Sequence, residues 1–476
     1  MEGEKVQGKV VLIFPDSDEP LQAFGTRLRS FAPPLGPLYL AAHLIDRFDV
    51  EFLDLSAKGF DRGEVERAVS GASAIGISIT SYNRRSALQL IRLIRSINPS
   101  APIAVGGPGC YPEGGLPEGV DLMALGEAEA TVLRIFEGLT HPDPWERDEI
   151  LSKTPGVIFR DRYGRVREGK PYVQVSDLDS LRFPLREIVS KGDYTIFGAG
   201  KAGVGASIIT SRGCPYRCRF CTRPKLAGYR ERSVESVLEE IERIYRSGYE
   251  VLYIVDDNFT ANRRRVEAIA EGIVRRGIRL AILAQGRANT ASKEMFEAMR
   301  EAGFVLISFG LESGVQEVLD FYRKGTTVEQ GVRAVEWADE AGLFTCASFI
   351  LGAPIETEEH LERTIRYAYE LPLDVVFFSV LNYVRGSDLW EEARERGLIR
   401  DDEDEVLADS SRGLSNFPAA YLRRLASDAQ LRFYLRPKLW IRYVRKLRRC
   451  GDKRFVGLLL RGFLRFWADF LEDHLF

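Results

Sequence analysis

Histidine is scarce. Only four are scattered through the 476 residues, so the chain offers no cluster from which a His-based zinc hydrolase could be built. Cysteine numbers six, three of them in one short array. A disulfide framework is therefore not expected, and a reducing, cytoplasmic compartment is. No uncharged apolar run reaches the length of a membrane span, and the N-terminus lacks the apolar core of a signal peptide. The GxGxxG fingerprint is missing after the first apolar run, which counts against a nicotinamide cofactor. Charge of neither sign dominates: 66 Lys and Arg against 69 Asp and Glu leave a net charge of −3, unlike a general nucleic-acid binder. Asn and Gln are few beside Arg and Glu, a lean towards a thermophile. The remaining composition, 45% apolar and 28% charged, is that of a soluble globular chain, and the length suggests two to four domains.

The most informative stretch is Ser211-Arg212-Gly213-Cys214-Pro215-Tyr216-Arg217-Cys218-Arg219-Phe220-Cys221. The apolar run before it, 207–210, reads as a buried strand, which puts the cysteines on the loop at its carboxyl end. Three thiolates in so short a loop suit a cubane iron–sulfur cluster. With three protein ligands, one iron of four stays open to substrate chemistry. A structural zinc site or a chance group of thiols is the bland alternative. Zinc prefers four ligands, often two Cys pairs, and no second pair exists.

The Cys-x3-Cys-x2-Cys array resembles the signature of the radical S-adenosylmethionine (SAM) superfamily. The resemblance implies a 4Fe-4S cluster on Cys214, Cys218 and Cys221, with SAM chelating the open iron and yielding a 5′-deoxyadenosyl radical on reduction.

Ahead of the array, strands are expected at 10–15, 50–55, 74–80, 102–105 and 122–125, with helices at 38–45, 64–70, 84–97 and 129–139. This alternation predicts an α/β domain with a parallel sheet over residues 1–145, Rossmann-like, with ligands at the carboxyl ends of its strands. The loops there are 33–36, 54–59, 78–82, 106–111 and 126–129. They could be no more than tight turns. Together they resemble the cobalamin-binding domain of class B radical SAM enzymes, through Pro33-Pro34-Leu35-Gly36, Gly106-Gly107-Pro108 and Gly126-Glu127-Ala128-Glu129. The resemblance implies cobalamin contacts from Leu35, Gly36, Asp54, Ser56, Ser78, Thr80, Gly106, Gly107, Pro108, Gly126, Glu127 and Glu129. The chain departs from the Asp-x-His-x-x-Gly cobalt loop: Asp54-Leu55-Ser56-Ala57-Lys58-Gly59 has Ser where His would stand. No histidine ligand to cobalt is expected from this loop, and the lower axial face is expected to be open or water-bound. Cys110, on one of these loops, is not expected to touch the ligand.

Residues 146–200 read as a connecting strap, with a hairpin around Asp161-Arg162-Tyr163-Gly164 and a leading-in segment at 178–186. Over 201–400 strands are expected at 207–211, 251–255, 281–285, 305–310, 345–351 and 375–380, separated by helices. Six such units predict a partial (β/α)6, TIM-like barrel with functional residues at the carboxyl ends of its strands. The resemblance implies SAM contacts there from Asp257, Arg287, Glu312 and Gly352. Two of these positions have bland counterparts. Asn258 beside Asp257 suits a helix N-cap, and Glu312 suits a first-turn carboxylate favoured by the helix dipole. Gly352-Ala353-Pro354-Ile355-Glu356 resembles the segment beside the adenine. The turn Asn382–Ser387 departs from the Pro-rich turn of relatives and is a candidate for substrate choice. Cys346 is expected in the core, and Cys450 has no partner in view.

Residues 401–476 are expected to be helical, basic and aromatic, notably 432–440 and 455–470. They fit either an amphipathic helix at a membrane surface or a cap on the barrel with its charges solvated. The family resemblance reaches this Phe433-Tyr434-x-Arg436-Pro437 element.

The function so implied is a cobalamin-dependent radical SAM C-methyltransferase acting on an unactivated carbon, with SAM, cobalamin and a 4Fe-4S cluster as cofactors. An oxidative cyclase or other non-methylating radical SAM enzyme is the alternative. A non-catalytic cobalamin or iron–sulfur sensor is a third reading. The expected partners are a low-potential electron donor of the ferredoxin or flavodoxin type and a substrate that is either a protein side chain or a lipid. No nucleic acid is expected, and peripheral membrane contact stays open.

Overall fold

A computed structural model describes residues 8–18, 32–194, 204–222 and 228–449, together with the backbone of a two-strand ribbon at 22–23 and 26–27. The expected helix at 455–470 and Cys450 lie outside these residues. The described residues divide into two units, one up to Ser207 and the other from Ile208 on.

The first unit is built on a seven-stranded sheet. Its strands are β1 (Lys9–Phe14), β2 (Asp49–Asp54), β3 (Ala74–Ser78), β4 (Ile103–Gly106), β5 (Leu122–Ala124), β6 (Val157–Arg160) and β7 (Val166–Glu168). Their order is β2-β1-β3-β4-β5-β6-β7. The first five run parallel, as the strand–helix alternation requires. The hairpin read from Asp161–Gly164 forms, and it adds β6 and β7 antiparallel to the end of this sheet.

Alternate residues of each buried strand feed opposite faces. Val11 and Ile13 pack with Ile75, Ile77, Val105 and the helices Arg62–Val69 and Arg84–Ile97. Val10 and Leu12 pack with Ala104, Leu122 and the helices Leu35–Leu44 and Val132–Leu139. Both faces are covered, so the ends of the strands remain for a ligand.

The second unit holds a six-stranded sheet of β8 (Gly205–Ile208), β9 (Val251–Ile254), β10 (Ala281–Gly286), β11 (Phe304–Glu312), β12 (Phe344–Leu351) and β13 (Val375–Val380). Here spatial order follows chain order, the mark of a barrel built from successive strand–helix units. Its strands from β9 on are linked in parallel registers, and the boundary between the units falls within β8, before Ile208. The intervening helices Val234–Arg246, Arg263–Arg275 and Lys293–Glu301 carry side-chain N-caps from Ser233, Asn262 and Ser292.

The basic helix Pro437–Arg449 packs on the second unit, and the expectation of solvated charges is corrected for two of its cations. Lys438 and Arg445 are exposed, but Arg442 and Lys446 turn inward. Arg442 and Lys446 pair with Asp374, whose side chain is 0% exposed, and with Asp339. Tyr443 donates its hydroxyl to the Asp374 carbonyl at 2.5 Å. Asp374 opens β13, so the helix is fastened to the amino end of that strand. Its apolar Ile441 and Val444 are exposed as well.

Candidate functional site

The cysteine loop is shaped by the residues between its cysteines. Ser211–Arg212 pairs antiparallel with Arg230–Glu231. Arg219 receives a hydrogen bond from Leu389 N at its carbonyl, donates its own N–H to the Tyr322 carbonyl at 3.0 Å, and donates from Nη1 to the Phe321 carbonyl at 3.1 Å. Its Nη2 pairs with Glu392. Phe220 meets Tyr322 edge-on at 5.1 Å. Tyr216 lies under the Arg287 guanidinium at 3.8 Å, and its hydroxyl accepts from Asn289 at 3.2 Å. With these residues facing the barrel, Cys214 and Cys218 are left half-buried and Cys221 exposed, all three as free thiols.

Asp256 fixes the start of the loop. It is 2% exposed and accepts from Thr210 N at 2.6 Å, Thr210 Oγ1 at 2.5 Å and Ser211 Oγ at 2.6 Å. Burial raises its pKa against those hydrogen bonds. The sequence singled out its neighbour Asp257, which is exposed and close enough that its charge helps raise the Cys214 thiol; burial is the larger cause of that rise, and Arg287 opposes it. Asn258 precedes the short turn Phe259–Ala261 but makes no side-chain cap bond. Its Nδ2 is buried without a hydrogen-bond partner.

Arg287 follows β10 and is 6% exposed. Its Nη1 lies 3.5 Å from Cys218 Sγ, while Nε and Nη2 are buried with no hydrogen-bond partner. Glu312 ends β11, where the ladder to β12 shifts register. It holds a left-handed φ of 64° and pairs with buried Lys324 at 2.7 Å. It stands ahead of the helix Gln316–Phe321, so it is not the first-turn carboxylate of that helix. Such a backbone costs about 1–3 kcal/mol in a non-glycine residue. Past β12, Glu356 is 0% exposed and folds back so that Oε2 accepts from Gly352 N at 2.6 Å and Ala353 N at 2.7 Å. Oε1 has no partner, and burial pushes the carboxyl up to about 7. The turn after β13 is engaged in its own contacts: Arg385 pairs with Asp404 at 2.7 Å and lies over Trp390.

In the first unit the strand-end loops have another character. Asp54 is 7% exposed and accepts from Ser56 N, Ser56 Oγ, Ala57 N and the Tyr194 hydroxyl. Asp54 and Ser56 thus form one N-cap. Thr80 and Asn83 close a capping box beside Ser78. Gly107 has φ 108°, and a Cβ there would sit 2.6 Å from the Ile79 carbonyl oxygen. Gly106 precedes it and exposed Pro108 follows. Glu127 N donates to the Tyr172 hydroxyl at 3.2 Å, and Glu127 Oε2 accepts from Val175 N. Exposed Gly126 faces the same tyrosine ring, and Glu129 is buried. Leu35 is buried and Gly36 exposed, with nothing within 4 Å of a Cβ built on Gly36. Cys110 is half-buried, and burial pushes its thiol up to about 12 against the pull of Arg84. Cys346 is core, as expected, and also stands at about 12.

These residues fit the groups that the sequence suggests. Among the described residues no three His, Cys, Asp or Glu side chains converge as a single metal ion would require. A cubane instead presents separate irons to separate thiolates, and the buried guanidinium with unfilled donors beside Cys218 suits an anionic cluster. At the other edge, open backbone at Gly36 leaves room for a broad, flat ligand.

Lys324, Tyr216 and Asp256 escaped the sequence reading of the site. Asp256 carried a signal, since it adjoins Asp257 at a strand end. Lys324 carried none, because only the fold brings it to Glu312.

Comparison with known proteins agrees with this division. Residues 208–368 match the radical SAM superfamily and residues 22–136 match the B12 binding domain. The chain is 29% identical over 465 residues to an uncharacterized methyltransferase of Pyrococcus horikoshii, covering 95% of this chain and 98% of that one. It is 33% identical over 292 residues to the anaerobic magnesium-protoporphyrin IX monomethyl ester cyclase of Cereibacter sphaeroides, covering 59% and 46%. Its fold is similar to that of the radical SAM methyltransferase TsrM from Kitasatospora setae, solved with cobalamin and a [4Fe-4S] cluster, at TM-score 0.64, 21% identity and coverage of 82% and 76%. The chain belongs to the cobalamin-binding, methyltransferase-like radical SAM enzymes, whose cofactors are an iron–sulfur cluster, SAM and cobalamin.

Proposed function

We propose that this enzyme is a C-methyltransferase that places a methyl group on an unactivated carbon. The likeness to a methyltransferase along nearly the whole chain carries this reading. When bound, the cluster supplies the electron that cleaves SAM, and cobalamin supplies the methyl group. Cys214, Cys218 and Cys221 would hold the cluster, and Arg219, Tyr216 and Phe220 hold their loop to the barrel. Asp257, Arg287, Glu312 and Gly352, at the carboxyl ends of successive strands, would surround SAM. Glu356 sets the Gly352–Ala353 backbone by accepting both N–H groups. Leu35, Gly36, Asp54, Ser56, Ser78, Thr80, Gly106, Gly107, Pro108, Gly126, Glu127 and Glu129 mark the edge that would receive cobalamin. Ser56 already donates to Asp54, which supports a cobalt face without a protein ligand from this loop.

The domains would be 1–145 for cobalamin, 146–200 as connection, 201–400 as radical barrel and 401–476 as helical tail. A low-potential donor of ferredoxin or flavodoxin type would supply the electron. The substrate would be a protein side chain or a lipid; a hopanoid C-2 methylase of Rhodopseudomonas palustris is 25% identical over 430 residues. No described helix is long and apolar enough to cross a membrane.

The second reading is oxidative ring closure, favoured by the 33% identity to the cyclase. The test is incubation of reduced holoenzyme with methyl-deuterated SAM and candidate acceptors. A product heavier by one deuterated methyl, formed with 5′-deoxyadenosine, supports methylation. A product that has lost two hydrogens and gained no label establishes the cyclase instead.

A further inference from the structure

Arg287 touches one of the three candidate cluster cysteines. Its Nη1 donates to Cys218 Sγ at 3.5 Å, and Tyr216, from the same loop, lies against its guanidinium face at 3.8 Å. Asn289 holds the Tyr216 hydroxyl, so the stack is fixed from both ends. The guanidinium is 6% exposed, and Nε and Nη2 have no hydrogen-bond partner. Among the described residues no carboxylate forms an ion pair with it. A buried cation without a counter-anion is costly, and guanidinium does not discharge by losing its proton. The fold therefore maintains a positive charge beside Cys218 that nothing in the described protein neutralises.

We propose that Arg287 is a positioning residue that sets the reduction potential of the cluster, through its charge and its hydrogen bond to the Cys218 sulfur. The inference rests on the reading of Cys214, Cys218 and Cys221 as cluster ligands. Reduction adds one electron, from an external low-potential donor, to a cluster already carrying three thiolates. A fixed cation in a low-dielectric setting favours the more negative, reduced state, and hydrogen bonds to the sulfurs act in the same direction. Arg287 raises the potential and makes the cluster easier to reduce.

The test is an EPR-monitored redox titration of anaerobically reconstituted holoprotein without SAM, for the wild type, Arg287→Met and Arg287→Lys. At the wild-type midpoint, Arg287→Met should show a ratio of reduced to oxidised cluster at least tenfold lower, a shift of about 59 mV for one electron. Arg287→Lys keeps the charge and should move less than a third as far. If Arg287→Met takes up no iron, Arg287→Gln replaces it with the same expectation. An unchanged midpoint in the neutral variant, with SAM binding lost, would overturn the inference and make Arg287 a SAM anchor alone. A shift in Arg287→Lys equal to that in Arg287→Met would overturn it too, since packing rather than charge would then be the cause. Wild-type protein that holds neither iron nor sulfide would defeat the cysteine reading itself.

Discussion

The two strand-end edges of this chain differ in how many of their polar groups are already satisfied. In the first unit, Asp54 is held by Ser56, Ala57 and Tyr194, Thr80 by Asn83, and Glu127 by Tyr172 and Val175, while Glu129 Oε2 is buried without a hydrogen bond. In the second unit, Arg287, Glu356, Asn258 and Tyr322 each bury a polar atom that has no partner. A saturated edge keeps its shape alone and offers backbone and contour. An edge with orphaned donors and acceptors carries a desolvation cost until a partner arrives. The difference suits a broad, flat group at the first edge and a charged, reactive one at the second.

That contrast can be broken experimentally, most severely at the cysteines. Cys214→Ala, Cys218→Ala or Cys221→Ala should each reduce bound iron and 5′-deoxyadenosine formation to background, measured by metal analysis and chromatography, while cobalamin retention persists. Next in size is the buried pair at Glu312. Lys324→Met leaves its carboxylate uncompensated and should cost roughly 3–5 kcal/mol in chemical denaturation. Lys324→Met combined with Glu312→Leu should recover most of that loss.

Glu356 gives a dependence on pH. Its folded value of about 7 lies above the ordinary 4.5, so the folded state binds this proton more tightly. The resulting stabilisation is complete below about pH 4.5 and is lost as pH rises through about 7, a change of about 3 kcal/mol. Stability measured across that window should fall with pH, and Glu356→Gln should flatten the slope. The smallest effects lie in the first unit. Gly107→Ala forces a Cβ against the Ile79 carbonyl at a left-handed φ and should cost roughly 1–3 kcal/mol. Gly36→Ala meets nothing and should raise stability by up to roughly 1 kcal/mol. A fall in cobalamin retention in Gly36→Ala, without a fall in Tm, would sharpen the contrast between shape and charge.

Much of this plan was legible in the sequence, because period and spacing are local. The alternation of apolar runs located the parallel strands β1 to β5 and β8 to β13, and the Cys-x3-Cys-x2-Cys spacing located the reactive loop. Partnerships across the chain were not legible. Nothing in the spacing links Lys324 to Glu312 or Arg287 to Cys218; the path of the strand-end loops creates both contacts. For the basic helix at 437–449, composition does not show which cations meet a buried carboxylate. Asp339 and Asp374, some 70 to 100 residues earlier, draw Arg442 and Lys446 inward. Ser56 showed in sequence as a missing histidine, and the structure adds that its hydroxyl is donated to Asp54.

The central claim is that one chain holds both redox groups, with the cobalt face free of a histidine from the 54–59 loop. EPR of protein purified anaerobically with cobalamin, before and after dithionite, tests it most directly. The account predicts a cob(II)alamin signal without nitrogen splitting, together with a reduced-cluster signal that changes when SAM is added. A cluster signal with no retained cobalamin would contradict the methyltransferase reading, and nitrogen splitting would contradict the assignment of Ser56 to the cobalt loop.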